Sequence, residues 1–177
     1  RLVGLVLAEW QAVQKKLPKL VDLGDIRGDL HVHTNLSDGV NTLQEMVEGA
    51  IARGYKYLGI SDHSPSVVSR GKYEVLGLIE RFRNSIEQIN SSQTDIRVLF
   101  GYEVNILVDG TLSLTDEVLE KLDYVVASVH TSFDQSREVA TERLLRAIKN
   151  PLVSIIGHPS GRLINEREPL DLDWDKI

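Results

Sequence analysis

The stretch Asp29-Leu30-His31-Val32-His33 (DLHVH) carries the strongest structural signal in the chain, because histidines alternate with apolar residues in it. Side chains two positions apart on a β-strand point to the same side, so His31 and His33 lie together on one face. Two neutral imidazoles that converge in this way suit zinc, manganese or iron. Two buried core histidines are the structural alternative for this pattern alone.

Apolar strands alternate with amphipathic helices along the rest of the chain. After Asp29–His33, strands are predicted at Tyr57–Ile60, Arg97–Glu103, Tyr124–Val129 and Val153–Ile156. Helices are predicted at Leu2–Leu17, from a capping box at Thr42 and Glu45 to Gly54, and at Tyr73–Asn90, Thr115–Lys121 and Ser136–Lys149, with a polar loop at Pro65–Lys72. This order predicts a parallel α/β fold with buried strands. Two architectures fit this order, a doubly wound open sheet and a β/α barrel.

The histidines share one position in this pattern. The chain contains five, and each lies at the C-terminal end of a predicted strand: His31, His33, His63, His130 and His158. In β/α barrels that face holds the active site, whereas the glycine-rich loop of a dinucleotide-binding sheet is missing after the first strand. A core histidine is the alternative for each one alone. All five on one face predict a metal site.

Acidic residues accompany these histidines. Glu103 ends the third strand, where a carboxylate can bridge two metals, although a solvated charge at a strand exit is the alternative. Asp38 precedes a glycine and is equally typical of a turn. Adjacent strand residues face opposite ways, so we expect His63 to bind metal and Asp62 to support it or to cap a turn. This mixture of ligands is more typical of an open catalytic site than of a cysteine-rich structural zinc site.

Composition narrows the class of protein. The 177 residues suit one domain, and 26 acidic against 20 basic residues give a net charge of −6, which excludes a strongly basic nucleic-acid-binding module. The absence of cysteine excludes disulfides, a thiolate zinc site and a cysteine nucleophile. No apolar run reaches the ~18 residues of a membrane span. We therefore expect a cytoplasmic protein without a membrane partner.

The motifs at the strand ends, taken in order, resemble those of the PHP (polymerase and histidinol phosphatase) metallohydrolase family. They are Asp29-Leu30-His31-Val32-His33-Thr34, Ser37-Asp38-Gly39, Ser61-Asp62-His63-Ser64, Gly101-Tyr102-Glu103, Ser128-Val129-His130 and Gly157-His158-Pro159. The chain is most similar to the C-terminal PHP domain of bacterial and archaeal family X DNA polymerases. The resemblance divides it into an N-terminal helix and linker, residues 1–24, and a PHP metallohydrolase domain, residues 25–177.

The resemblance implies a distorted (β/α)7 TIM-like barrel, truncated before its last strands, because the family's final Asp-x-His motif is absent. It implies up to three Zn²⁺, Mn²⁺ or Fe²⁺ ions in an intact domain. Carried over residue by residue, His31, His33 and Glu103 hold one metal. Glu103, His130 and His158 hold a second, and Asp38 and His63 hold a third.

The resemblance also implies phosphoester hydrolysis, with a metal-bound hydroxide attacking phosphorus. Glu103, His130 and His158 are then catalytic, and Arg162 contacts phosphate, with a surface arginine as its alternative. The family X subgroup implies action on DNA 3′ ends, as a 3′–5′ exonuclease or in 3′-end processing for repair, beside an upstream polymerase domain in the parent chain. The alternatives are a small-molecule phosphatase such as histidinol-phosphate phosphatase, which the acidic composition favours, and a non-catalytic PHP scaffold.

Overall fold

A computed structural model describes residues 19–177 and, before them, Trp10, Val13 and Gln14. Apart from these three residues, the helix predicted at Leu2–Leu17 lies outside the described part of the chain. A short 3-10 helix at Leu23–Asp25 leads into a parallel sheet of five strands. The strands are β1 (Gly28–Val32), β2 (Tyr57–Ile60), β3 (Arg97–Asn105), β4 (Tyr124–Ser128) and β5 (Ile155–Ile156).

Helices occupy most of the connections between these strands. They are α1 (Leu43–Ala52), α2 (Val67–Arg70), α3 (Lys72–Ser92), α4 (Asp116–Leu119) and α5 (Arg137–Ile148). The capping box at the start of α1 is present, since Thr42 accepts from the Glu45 N–H and the Glu45 carboxylate accepts from the Thr42 N–H. The segment predicted as a polar loop instead contains α2, because the Ser66 hydroxyl caps its first turn.

Each strand pairs in parallel with the next strand in the sequence, in the order β1-β2-β3-β4-β5. A doubly wound sheet reverses its strand order at a switch point, whereas a barrel keeps sequence order. The sheet is therefore a curled half-barrel. The predicted parallel α/β class is confirmed, and the carboxyl ends of all five strands meet at one edge.

Apolar side chains hold the helices against the outer face of this sheet. On α3, the buried residues Val75, Ile79 and Phe82 follow helical spacing. The ring of Phe82 meets the ring of Phe100 on β3 edge to face, with 5.2 Å between centroids. Burial of each such side chain contributes roughly 1.5–3 kcal/mol to the free energy of unfolding. The helices thus hold the carboxyl ends of the strands, where the histidines lie, in position from the outer face of the sheet.

Tyr124 of β4 fills the space in front of two glycines, Gly59 on β2 and Gly101 on β3. A Cβ atom at Gly59 would lie 2.4 Å from the Tyr124 hydroxyl, and one at Gly101 would lie 2.6 Å from its ring. Glycine at these two positions lets the sheet accept a large ring without displacing β2 or β3. The ring therefore packs against β3 at Gly101, two residues before Glu103.

Candidate metal centre

Glu103 forms the floor of the centre, since its side chain is 1% exposed and both of its oxygens face imidazoles. Its Oε1 atom faces three histidines that belong to three different strand ends. The nitrogen is Nε2 in each case, at 3.3 Å for His31 and His130 and at 2.8 Å for His158. One buried carboxylate oxygen thus brings together residues 127 positions apart in the sequence.

The second oxygen of Glu103 faces the other two histidines. Its Oε2 atom lies 3.3 Å from His33 Nε2 and 3.3 Å from His63 Nδ1. The remaining nitrogens of these two rings face Asp38, at 2.7 Å for His33 Nδ1 and 3.3 Å for His63 Nε2. Asp38 is 65% exposed and lies at the rim of the centre, on the side open to solvent.

Asp62 supports the loop that carries Asp38. Its carboxylate is buried and accepts hydrogen bonds from the Thr34 N–H at 2.6 Å, the Thr34 hydroxyl at 2.7 Å and the Ser37 hydroxyl at 2.6 Å. The loop after β1 is therefore tied to the end of β2. Asp62 thus contacts the loop after β1, whereas its neighbour His63 contacts Glu103 and Asp38.

Two features of the centre escaped the sequence analysis. Asn105 Oδ1 accepts from His130 Nδ1 at 2.6 Å, which leaves Nε2 of that ring to face Glu103. The available signal was its spacing, because Asn105 lies two residues after Glu103 on β3 and shares its face. The second is the backbone of His158, whose φ of 26° lies in a region that non-glycine residues rarely adopt.

The electrostatics follow from these contacts. Burial opposes the charge on Glu103, yet hydrogen bonds from the doubly protonated rings of His130 and His158 outweigh it, so the pKa of Glu103 lies well below its usual range. The hydrogen bond with Glu103 raises the pKa of His158. The hydrogen bond with His33 lowers the pKa of Asp38. Without a metal, a proton shared at the 2.8 Å contact of His158 and Glu103 stabilises the pair.

The donor chemistry fits a bound cation. A neutral imidazole has one N–H donor and one lone pair, but His33 and His63 each face a carboxylate through both ring nitrogens. At least one lone pair per neutral ring therefore opposes a carboxylate oxygen unless a proton or a metal lies between them. Among the residues that the structure describes, two groups have donor atoms within 4.8 Å of one another: His31, Glu103 and His158, and His33, His63 and Glu103. Zinc, manganese and iron accept such ligands.

All seven residues expected to bind metal therefore meet at one place. The distances pair His31 with His158 and His33 with His63, whereas the resemblance pairs His31 with His33 and His130 with His158. The assignment of residues to individual ions stays a prediction. Arg162 is exposed beyond His158, and its backbone N–H donates to the Ser160 hydroxyl. Its predicted contact with phosphate also stays a prediction.

A parallel α/β half-barrel with a His-Asp-Glu cluster at the carboxyl ends of its strands defines a class of metal-dependent hydrolases. Comparison with known families is consistent with this class, because the PHP domain family matches residues 29–167. The chain belongs to the PHP domain family. No helix in the described part of the chain is long and apolar enough to cross a membrane.

Three of the relatives of this chain carry two kinds of name. The chain is 41% identical over 160 residues to the DNA polymerase/3′-5′ exonuclease PolX of Bacillus subtilis (strain 168), which covers 90% of the chain and 28% of that protein. It is 33% identical over 151 residues to a "probable phosphatase" of Thermoanaerobacter sp. (strain X514), covering 82% of the chain and 57% of that protein. A "probable phosphatase" of Caldicellulosiruptor bescii is 36% identical over 142 residues, covering 76% of the chain and 55% of that protein. The chain thus spans little more than half the length of the two phosphatases and 28% of the length of PolX. The family and these names support a phosphoester hydrolase.

Proposed function

We propose that the chain is a metal-dependent phosphoesterase. The observation that carries the proposal is the convergence of all five histidines on the one buried carboxylate of Glu103. We assign the ligands to the seven residues that meet there: His31, His33, Asp38, His63, Glu103, His130 and His158. Divalent zinc, manganese or iron bound there supplies positive charge for phosphate oxygens and lowers the pKa of water.

The residues of the centre divide the work of binding and orientation. Glu103 places a full negative charge on the floor, and Asn105 turns Nε2 of His130 toward it. The side chains of His31, His63 and His158 are 33%, 37% and 46% exposed and form a rim. A phosphate ester therefore reaches the cluster from the solvent side.

We infer that the ester is a DNA 3′ end, and a cavity beside His63 supports this substrate. It has a volume of about 360 Å³ and lies between α3 and the loops after β1 and β2. Arg70 and Arg81 line it, together with the apolar side chains of Leu78 and Phe82. Asp62 also lines it, but three hydrogen bonds already satisfy its carboxylate. Arg70 already pairs with Glu74 at 2.8 Å, so the guanidinium of Arg81 beside the apolar wall is the group that suits a nucleotide next to the reacting phosphate.

The alternative substrate is a small phosphate monoester such as histidinol phosphate. The relatives named as probable phosphatases and the net charge of −6 favour it. A non-catalytic scaffold is the third reading of the same domain. The presence of all seven expected ligand residues at one face weighs against it.

We extend the proposal to the whole domain. The sequential parallel sheet is the first part of a (β/α)7 barrel, formed by residues 25–177. In the parent protein we place residues 1–24 after an upstream polymerase domain, and we assign the chain a cytoplasmic role in DNA repair. The partial coverage of the PolX relative supports this arrangement.

Hydrolysis of two substrates by the purified chain tests the function. The chain is loaded with Mn²⁺ or Zn²⁺ and given a labelled single-stranded oligonucleotide or histidinol phosphate, with Glu103→Gln as the control. Shortening of the oligonucleotide that depends on Glu103 supports the DNA reading. If phosphate is released from histidinol phosphate and the oligonucleotide is not shortened, the protein is a small-molecule phosphatase. No reaction with metal bound favours the scaffold.

Replacement of Arg81 tests the substrate cavity. Arg81→Gln is expected to weaken oligonucleotide binding and to reduce the slope of log K against log salt by about 0.7, the value for one contact to a single strand. Arg53→Gln, at the C-cap of α1, removes the same charge outside the lining of the cavity and is the matched control. Fluorescence anisotropy in a chelating buffer measures both variants without hydrolysis. Equal effects of the two variants would remove Arg81 from the substrate site.

A further inference from the structure

Arg143 is the one buried basic side chain among the described residues. It lies in the middle of α5 and is 3% exposed. All of the oxygens to which its guanidinium donates are neutral, being backbone carbonyls and one side-chain amide. A buried cation without a carboxylate partner is unusual, because a charged group loses favourable hydration when it leaves water.

The acceptor oxygens belong to two separate loops. Nε donates to the Leu107 carbonyl at 2.8 Å, and Nη2 donates to the Ile106 carbonyl. Nη1 donates to the Thr131 carbonyl at 3.0 Å and to the Gln135 side chain at 3.1 Å. The first pair of acceptors follows β3, and the second pair lies beyond β4. One guanidinium therefore joins the segments that follow two neighbouring strands.

Each of these segments begins at a residue of the metal centre. Ile106 comes directly after Asn105, and Thr131 comes directly after His130. Asn105 and His130 are themselves joined by the 2.6 Å hydrogen bond that orients the imidazole. The next residue, Ser132, has a φ of 56°, a backbone conformation that is strained for a non-glycine residue. Hydrogen bonds from Arg143 hold the loop in this conformation.

The chemistry of the side chain explains why the position carries arginine. An apolar side chain would pack beside Ala140 and Leu144 of the same helix without the cost of burying a charge. Only the planar guanidinium presents five N–H donors in a fixed fork, which reaches carbonyls of both loops at once. The ammonium of lysine reaches one loop or the other.

We propose that Arg143 is a positioning residue of the metal centre, which fixes the loops after β3 and β4 and thereby holds His130 in register with Glu103 through Asn105. This inference rests on the proposed metal-dependent function. The side chain of Arg143 acts through other residues and does not itself touch the metal ligands. Its removal is expected to change the state of His130 before it changes the rest of the centre.

Long-range ¹H–¹⁵N NMR spectra of the metal-free chain give the direct readout. The wild-type chain is expected to show His130 as the tautomer protonated at Nδ1. Asn105→Ala removes the acceptor and is expected to abolish this preference, and Arg143→Gln is expected to reduce it. Arg137→Gln removes a 56%-exposed arginine of the same helix, which pairs with Asp171 at 3.0 Å, and is expected to match the wild type.

Zinc affinity measured by chelator competition gives the second readout. Arg143→Gln and Asn105→Ala are each expected to lower the affinity by about 10–100-fold, the usual effect of residues that orient a metal ligand. Arg143→Lys is expected to fall between these variants and the wild type. Arg137→Gln is expected to bind as the wild type does.

Several outcomes overturn the proposal. The proposal is wrong if a folded Arg143→Gln variant keeps the His130 spectrum and the zinc affinity of the wild type. If that variant does not fold, the same two wild-type results in Arg143→Lys contradict the proposal instead. An unchanged His130 tautomer in Asn105→Ala contradicts it in every case. Neither readout involves hydrolysis. An inactive chain whose zinc affinity depends on Arg143 would therefore contradict the proposed phosphoesterase and leave this role intact.

Discussion

Replacement of Glu103 by glutamine is expected to remove tight metal binding while the chain still folds. Glutamine has nearly the shape of glutamate and keeps an acceptor oxygen, but it lacks the charge. Glu103 belongs to both groups of donor atoms that could hold an ion, so one substitution weakens both. No other residue of the centre is shared by the two groups.

The magnitude follows from the distances in the centre. The donor atoms of each group lie within 4.8 Å of one another, so a cation that contacts a group is closer than that to Glu103. Two unit charges about 4 Å apart interact by roughly 4 kcal/mol at an effective dielectric constant near 20. Loss of the carboxylate charge is therefore expected to lower the affinity for a divalent cation by roughly a thousandfold or more.

Chelator competition with Zn²⁺ measures this loss, and mass spectrometry of the dialysed protein counts the ions that remain. Glu87→Gln removes the same charge from an exposed position on α3 and is the matched control. Far-ultraviolet circular dichroism establishes that both variants are folded. A folded Glu103→Gln chain that binds zinc with wild-type stoichiometry and an affinity within tenfold of wild type would refute the assignment of Glu103 as the shared ligand.

The remaining predictions concern the interior behind the centre. Gly59→Ala would place Cβ 2.4 Å from the Tyr124 hydroxyl, so it is expected to lower the free energy of unfolding by about 1–3 kcal/mol, whereas Gly24→Ala meets nothing within 4 Å. Urea denaturation compares the two, and equal midpoints would contradict the packing argument. Burial raises the pKa of Tyr102 to about 12, so the unfolded chain loses this proton first, near pH 10, and stability falls by about 1.4 kcal/mol per pH unit between those values. Urea denaturation across this range checks the slope, which Tyr102→Phe should reduce.

The strands were predictable because buried parallel strands are apolar over their whole length. The predicted β2, Tyr57–Ile60, has the bounds that the structure shows. The third strand was predicted to end at Glu103, yet β3 continues to Asn105 because it still pairs with β4 up to Ser128. The fifth was predicted from Val153, but its pairing with β4 covers Ile155 and Ile156. Pairing partners set where a strand ends, and a single sequence does not contain them.

The ligands were predictable for a different reason. In a parallel sheet every strand end reaches the same edge, so histidines at strand ends must approach one another whatever the connecting helices do. Arg143 offers no comparable signal. It lies within an amphipathic helix and 36 residues from its acceptor Leu107, and its role depends on how two loops pass the helix. Asn105 likewise gains its meaning from the ring that it orients.

The same contacts explain how the centre persists with and without a metal. In the metal-free chain, the raised pKa of His158 and the lowered pKa of Glu103 describe an ion pair. Its stabilisation is complete between the ordinary values of 4.5 and 6.5. Below that window it is lost as Glu103 takes up a proton, and above it as His158 gives one up. A cation that binds within the window would have to displace this proton and release it. Above the window His158 is neutral, and a cation would take the place of the proton beside Glu103 without competition.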